Sequence, residues 1–251
     1  MNDSVVIIPT YNECENISAI IDAVLGQPHP FDILVVDDCS PDGTAAIVKE
    51  KMSGHPSRIH LLEREGKQGL GTAYIAGFKW ALQHGYDYVF EMDADFSHNP
   101  ADLNELYKAC AVDGADMSIG SRYLTGVNVV NWPIGRVLMS YYASAYVRFV
   151  TRMPVRDATA GFVCFTRKVL EALPLDDIKF KGYAFQIEMK FLTWIYGFRL
   201  KEVPIVFVNR VLGTSKMSSG IFSEAFFGII RLKLWSIFNK HPYCRKKKND
   251  K

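Results

Sequence analysis

Asp93 and Asp95 stand one residue apart and follow the apolar run Tyr88-Val89-Phe90. Two carboxylates at the end of a buried strand place hard oxygen ligands in the crevice where open α/β sheets take their ligands, which suits a divalent cation bridging phosphates. Spacing alone leaves a second reading open. Acidic pairs also sit in turns and beside helix starts, and Asn99-Pro100 follows closely. Two further loops are rich in reactive or polar side chains: Pro9-Thr10-Tyr11-Asn12-Glu13, and Asp37-Asp38-Cys39-Ser40-Pro41-Asp42-Gly43-Thr44. Cys39 has no evident base beside it, so loop filling is the better account of that thiol.

The elements that must position these loops are legible as short apolar runs. Val5-Val6-Ile7-Ile8, Ile33-Leu34-Val35-Val36, Ile59-His60-Leu61-Leu62 and Tyr88-Val89-Phe90 each precede a polar loop and then a segment of helical periodicity. Unbroken apolar runs suit strands covered on both faces, so the pattern predicts βαβ units and an α/β fold with a mostly parallel central sheet flanked by helices. The three loops then fall at strand carboxyl ends, along one edge of one sheet. Convergence of carboxylates from at least two loops favours a ligand site over isolated turns.

Composition bounds the chain. At 251 residues and 49% hydrophobic content it can bury a substantial core. Five cysteines form no Cys-x-x-Cys pair, and Met1-Asn2-Asp3-Ser4 lacks the basic start of a secretion signal, so a reducing cytosol is the expected compartment. The net charge is +2, but Arg245, Lys246, Lys247, Lys248 and Lys251 against Asp250 contribute +4, which leaves −2 for the rest. Such a body argues against nucleic acid as partner. The basic end suits an anionic membrane surface, and is also what a solvated terminus looks like. From Ile221 to Phe238 the chain is dense in apolar and aromatic residues but carries Glu224, Arg231 and Lys233, too many charges for a spanning helix. It is expected to lie at an interface, or to pack on the body or on a membrane-bound partner subunit. The division expected is a catalytic domain over 1–217 and a C-terminal apolar helix with a basic tail over 218–251.

The loops just quoted, together with Lys67-Gln68-Gly69-Leu70-Gly71-Thr72-Ala73-Tyr74, Met92-Asp93-Ala94-Asp95-Phe96-Ser97-His98, Gly120-Ser121-Arg122-Tyr123, Arg156-Asp157-Ala158-Thr159-Ala160-Gly161-Phe162, Glu202-Val203-Pro204 and Ser215-Lys216-Met217, resemble the successive blocks of dolichol-phosphate mannose synthases. These are family 2 inverting glycosyltransferases of GT-A fold. The resemblance runs over about residues 4–217. It implies that Pro9, Tyr11, Glu13, Val36 and Asp38 hold the nucleoside of GDP-mannose, with Met92 and Ala94 flanking the donor. Asp93 and Asp95 would bind Mg²⁺ or Mn²⁺ against the diphosphate, with Ser97 close behind; some relatives carry an amide there. Arg122 and Arg136 match positions around the donor or acceptor phosphate, and Arg210 and Lys216 match phosphate contacts, Lys216 on a flexible lid.

If the acceptor is a polyprenyl phosphate, its nucleophile is already anionic and needs no strong base; displacement at the anomeric carbon would invert an α-linked donor. Asp157 could orient the site or form a structural salt bridge. Gln186 and Glu188 are candidate acceptor-side or sugar contacts. Ile134, Val137, Leu138, Tyr141, Tyr142, Ala145 and Phe149 recur at helical spacing, and core packing is the commoner use of such a stripe, a lipid-facing side the alternative. Other readings remain: a related transferase using UDP-glucose, a non-catalytic nucleotide-binding subunit, or a Rossmann oxidoreductase, which would need Gly-x-Gly-x-x-Gly where Pro9-Thr10-Tyr11-Asn12-Glu13 stands.

Overall fold

Four of the apolar runs become neighbouring parallel strands. A computed structural model describes residues 2–182, 184–209 and 221–238, the last stretch by backbone alone at 221–225 and 238. Strands β1 (Ser4–Thr10), β2 (Asp32–Asp37), β3 (Ile59–Glu63) and β4 (Tyr88–Glu91) alternate with helices α1 (Ile17–Leu25), α2 (Thr44–Gly54) and α3 (Leu70–Gln83). Helix α4 (Asp102–Ala111) leads to β5 (Met117–Ser121); β7 (Val163–Thr166) and β8 (Leu200–Pro204) complete a seven-stranded sheet ordered β3-β2-β1-β4-β7-β5-β8. A separate parallel pair joins β6 (Val129–Val130) to β9 (Phe207–Val208). Strand β7 runs antiparallel to both β4 and β5, the one reversal in a sheet otherwise parallel.

Side-chain alternation along each strand feeds two cores. Val5 and Ile7 of β1 and Leu34 and Val36 of β2 point to the face covered by Tyr74, Phe78 and Ala81 of α3. Val6, Ile8, Ile33 and Val35 point to the other, against Ile17, Ile20, Ile21 and Val24 of α1 and Leu103 and Leu106 of α4. Gly77 lets α3 approach β1 closely, since a Cβ there would stand 2.8 Å from Ile7 Cγ2. The chain builds β1, β2 and β3 to one side and then crosses back to set β4 on the other side of β1. That reversal opens a crevice at the carboxyl ends of β1 and β4, where doubly wound sheets bind ligands.

The remaining helices are α5 (Ile134–Thr151), α6 (Arg167–Ala172), α7 (Ala184–Ile195) and α8 (Ile221–Phe238), the last with the bounds that the sequence suggested. Helix α8 packs on α5 and α7. Ile229 and Leu232 enter the core, the Tyr146 ring stacks on Phe226 at 4.5 Å, and Lys233 Nζ donates to Thr151 O at 3.2 Å, a cation at the end of α5. Among the described residues no helix is long and apolar enough to cross a membrane.

The stripe on α5 does not pack in the core. Ser144, Val147 and Thr151 are the buried residues of that helix, while Ile134 is 73% exposed, Tyr142 64% and Phe149 69%, with Leu138 and Tyr141 also exposed. The inner face is made of small and β-branched residues, and Thr151 can be buried there because its hydroxyl donates to Val147 O at 2.7 Å. The large apolar residues are thereby left on the outside.

Candidate functional site

The loops after β1 and β2 are stitched to each other before any ligand arrives. Thr10 Oγ1 donates to Asp37 Oδ1 at 2.7 Å, and Ser40 Oγ donates to the same oxygen at 2.6 Å. Asn12 N donates to Ser40 Oγ, Glu13 N to Thr44 Oγ1 and Cys14 N to Asp42 Oδ2. Burial raises the Asp42 carboxyl, but its hydrogen bonds from Thr44 and Cys14 outweigh this and hold it down at about 2. Asp37 is therefore consumed by the loop, and Asp38 is the acid of the pair that turns elsewhere. It lies 3.0 Å from Arg64 Nε in an ion pair shielded from water; burial pushes its carboxyl above the usual value while Arg64 pulls it back.

Tyr11 carries the Lys67 ammonium 4.9 Å from its ring centre, so the ring and a cation from the loop before α3 meet at the edge of the crevice. Pro9 and Val36 are paired across β1 and β2; Val36 is fully buried in the core, so the strand backbone and not its side chain borders the crevice. Met92 and Ala94 are likewise buried, between and behind the acids.

Asp95 is buried and Asp93 half-buried. Ser97 N donates to Asp95 Oδ1 at 3.1 Å, which requires the left-handed backbone of Phe96 at φ 57°. Asn12 (φ 56°) and Cys39 (φ 57°) take the same unusual conformation in the loops after β1 and β2, and Asn131 (φ 61°) does so just before α5. Strain of this kind costs about 1–3 kcal/mol per residue and gathers at ligand sites. Beneath the acids, burial and then the charges of Asp93, Glu91 and Asp95 push the fully buried Tyr74 phenol well above its ordinary value. His98 stacks on Phe162 at 4.8 Å; burial drags it well below the usual histidine range despite Asp95, so its imidazole is neutral.

A second cluster faces the first across the crevice. Arg122 grips Asp157 with a fork, Nε to Oδ2 at 2.7 Å and Nη2 to Oδ1 at 2.6 Å, and its own backbone N donates to Oδ2 at 2.9 Å. Burial alone would raise the Asp157 carboxyl, but the Arg122 charge and those hydrogen bonds hold it below the usual carboxylate range. Trp132 then sits between two guanidinium groups, Arg136 at 4.1 Å and Arg122 at 5.5 Å. Its buried indole Nε1 has no partner among the described residues, and Arg136 Nη1 donates to Asn209 Oδ1 at 3.0 Å. Arg122 is neutralised by Asp157, so the Arg136 guanidinium and the unused buried indole donor are what make this cluster apt for a phosphate.

Gln186 and Glu188 do not face the crevice. Gln186 Nε2 donates to Glu91 Oε2 at 2.6 Å in the core, and Glu188 accepts the backbone N–H groups of Lys179 and Phe180. Lys190, fully buried, donates to Ala160 O at 2.6 Å and to Gln186, so these residues brace the sheet end from inside. Arg210, Lys216 and the tail over 245–251 lie outside the described residues. The sequence singled out neither Arg64 and Lys67 nor Trp132. The lone tryptophan between Asn131 and Pro133, close to two arginines, was the available signal.

Asp93, Asp95 and the loops strapped beside them, at the switch point of an α/β sheet, define the arrangement of a nucleotide-sugar transferase of GT-A fold. The model of glycosyl transferase family 2 matches residues 5–174, and the chain belongs to that family. It is 46% identical over 226 residues to the polyprenol monophosphomannose synthase of Mycolicibacterium smegmatis, covering 90% of this chain and 85% of that one. It is also 46% identical over 225 residues to the undecaprenyl-phosphate mannosyltransferase of Micrococcus luteus, with 90% and 91% covered. Glucosyl-3-phosphoglycerate synthase of Mycobacterium tuberculosis, solved with Mn²⁺, UDP and glucosyl-3-phosphoglycerate, shares the fold at TM-score 0.67 and 18% identity over 93% of this chain and 79% of that chain. The mannosyltransferase PcManGT of Pyrobaculum calidifontis, solved with GDP-Man and Mn²⁺, does so at 0.56 and 22%, over 89% of this chain and 60% of that chain.

Proposed function

We propose that this chain transfers mannose from GDP-mannose to the phosphate of a polyprenyl phosphate, with inversion at the anomeric carbon. The carrying observation is the pairing of two unlike clusters on one crevice: carboxylates at the ends of β1, β2 and β4, and the Arg122–Trp132–Arg136 group opposite. The first suits a nucleoside diphosphate with a divalent cation, the second a separate phosphate. Identity of 46% to two relatives named for mannosyl transfer to polyprenol phosphates supports the sugar and the acceptor.

The donor edge fits a cation of the Mg²⁺ or Mn²⁺ kind. Asp93 and Asp95 provide two carboxylates, and the described residues hold no group of three or more His, Cys, Asp or Glu forming an all-protein cage. Ions that bridge substrate phosphates are held in this way, the rest of the shell being phosphate oxygen and water. The buried Ser97 hydroxyl has no partner among the described residues, which supports a role for it beside that shell. When bound, the cation neutralises the diphosphate and stabilises its departure.

The protein's own residues do the rest. Pro9, Tyr11, Glu13 and Asp38 hold the nucleoside, with Val36, Met92 and Ala94 forming the floor. Arg136 and the Trp132 indole position the acceptor phosphate, which is ionised and needs no base. Asp157 keeps Arg122 aimed along that side. By the family resemblance, Arg210 and Lys216 would clamp the leaving group, a guanidinium and an ammonium against the developing diphosphate charge.

Reaching a lipid acceptor requires contact with a bilayer. Helices α5 and α8 pack together, and both carry exposed apolar side chains, Phe227 of α8 at 70% among them. Those side chains, with the basic tail, dock the catalytic body peripherally on the cytoplasmic leaflet; a membrane-anchoring subunit is the alternative route. Purified protein given labelled GDP-mannose or UDP-glucose with a short polyprenyl phosphate should label the lipid from GDP-mannose alone. Transfer from UDP-glucose instead would overturn the choice of donor.

A further inference from the structure

Arg148, Arg152 and Arg156 recur every four residues across the end of α5 and the turn after it, and no carboxylate among the described residues pairs with any of the three. Arg148 and Arg156 line a cleft of about 250 Å³ together with Tyr123, Tyr141 and Ala145. Arg156 uses one Nη1 donor on Leu124 O at 2.8 Å, and its backbone N donates to Glu202 Oε2, so that carboxylate oxygen engages the main chain. Both arginines are exposed. The cleft is smaller than the roughly 300–1,000 Å³ of a site that swallows a small molecule whole, and suits a head group.

Its place is set by one ring. Tyr123 is buried, with the Arg122 guanidinium 5.3 Å from its centre and Tyr141 edge-on at 5.5 Å. Tyr123 thus touches both the cleft and Arg122, while Arg122, Trp132 and Arg136 are not among the residues lining the cleft. Tyr141 belongs at once to the cleft and to the exposed apolar face of α5, beside Tyr142 and Leu138. A ligand that fits must carry an anion for two guanidinium forks and apolar chains for the adjoining face.

We propose that the Arg148–Arg156 cleft binds the phosphate head group of an anionic bilayer phospholipid, separate from the lipid that is mannosylated. This rests on the membrane reading above and gives it a specific contact. A bound head group at this point would fix the rotation of the protein on the bilayer so that the acceptor phosphate, one ring away, rises into the crevice. The arginine fork is the side chain suited to such a phosphate, and the interfacial tyrosines beside it are suited to the head-group layer.

The test uses the full chain and sedimentation with vesicles of neutral phosphatidylcholine, alone or mixed with phosphatidylglycerol. The double variant Arg148→Gln, Arg156→Gln should lose about thirtyfold in its partition onto the mixed vesicles, the equivalent of about 2 kcal/mol for two basic residues near an anionic surface. Its binding to neutral vesicles, its GDP affinity and its turnover of a water-soluble short-chain acceptor should match the parent chain. An unchanged preference for anionic vesicles overturns the proposal, and so does binding of inorganic phosphate by the parent with no preference for the mixed vesicles over neutral ones, which marks a free-anion site. Loss of short-chain turnover in the variant would make these arginines part of the acceptor site and also overturns it. Failure of the parent to transfer mannose at all would sink the functional reading while leaving the vesicle result to stand or fall by itself.

Discussion

In the function proposed here, the two banks of the crevice solve the same problem, holding phosphate, with opposite chemistry. On the bank made by β1, β2 and β4, the polar side chains are acids and hydroxyls already bonded to one another, as in the Thr10–Asp37–Ser40 strap. On the bank made by the segments after β5 and around β9, they are guanidinium groups packed on aromatic rings. An acidic bank holds an anion only through a bound cation, whereas a basic bank meets its anion directly. The banks should therefore fail in different ways.

The largest effect is expected where a buried charge is orphaned. Asp157→Ala leaves Arg122 buried without its partner, and should destabilise the fold by about 3–5 kcal/mol by chemical denaturation. The pair also predicts a pH dependence. Burial works against the charge, but Arg122 holds the folded Asp157 carboxyl below the usual carboxylate range, so its stabilisation is fully present above that range and is lost as pH falls through the lower, folded value. The stability gap between the parent and Asp157→Asn should thus be constant near neutrality and shrink below about pH 4; a gap that widens in acid would contradict the assignment.

Next comes the acidic bank itself. Asp95→Asn keeps the shape and the bond from Ser97 N but removes the charge. Turnover should fall by more than about a hundredfold, the upper range for residues that merely support a metal ligand, while thermal stability changes little. Chelator should abolish the activity of the parent, and Mg²⁺ or Mn²⁺ restore it. Full turnover in chelator would remove the cation from the reading.

A milder, one-sided loss is expected on the basic bank. Arg136→Lys retains the charge but not the fork or the guanidinium contact 4.1 Å from the Trp132 ring centre. The KM for the lipid acceptor should rise about tenfold, the scale of one charged hydrogen bond, with GDP affinity unaltered. Equal losses for donor and acceptor would mean that the two banks are not separate.

The acidic bank was the legible one. Its strands are continuous apolar runs because both faces are covered, and each chemical loop follows its strand directly, so local sequence carried both the element and the residue. The basic bank is assembled from Arg122, Trp132, Asp157 and Asn209, which no local period connects. Val163-Cys164-Phe165-Thr166 is apolar enough for a strand but bears no mark of its antiparallel direction, which follows from its pairing with β4 and β5. Gln186 and Glu188 looked like cleft residues because they are polar in a family block; they are polar because Glu91 and two backbone N–H groups inside the protein require partners. The stripe of α5 could not be placed by periodicity, since an apolar helix face is equally periodic whether it meets a core or a bilayer.

The smallest expected effect extends the comparison from the two banks to the two faces of the sheet. Helices α3, α5, α7 and α8 contribute to one core and α1 and α4 to the other, and both faces end in exposed apolar residues: Phe227 of α8 on the first, Val112 at the end of α4 on the second. Phe227 meets the Phe226 ring, which stacks on Tyr146 of α5, so its helix is packed beside the exposed apolar residues of α5. Burying a phenylalanine fully contributes about 1.5–3 kcal/mol, and a ring that enters only the head-group layer gains part of that. Phe227→Ser should therefore weaken sedimentation with neutral vesicles by about threefold to tenfold, at unchanged GDP affinity, because the contact is apolar and indifferent to lipid charge. Val112→Ser should have no effect, since α4 lies across the sheet from α5 and α8. Equal losses in the two variants would show that exposed apolar side chains act generally and not through one docking face, and no loss in either would shift membrane attachment to the basic tail or to a separate anchoring subunit.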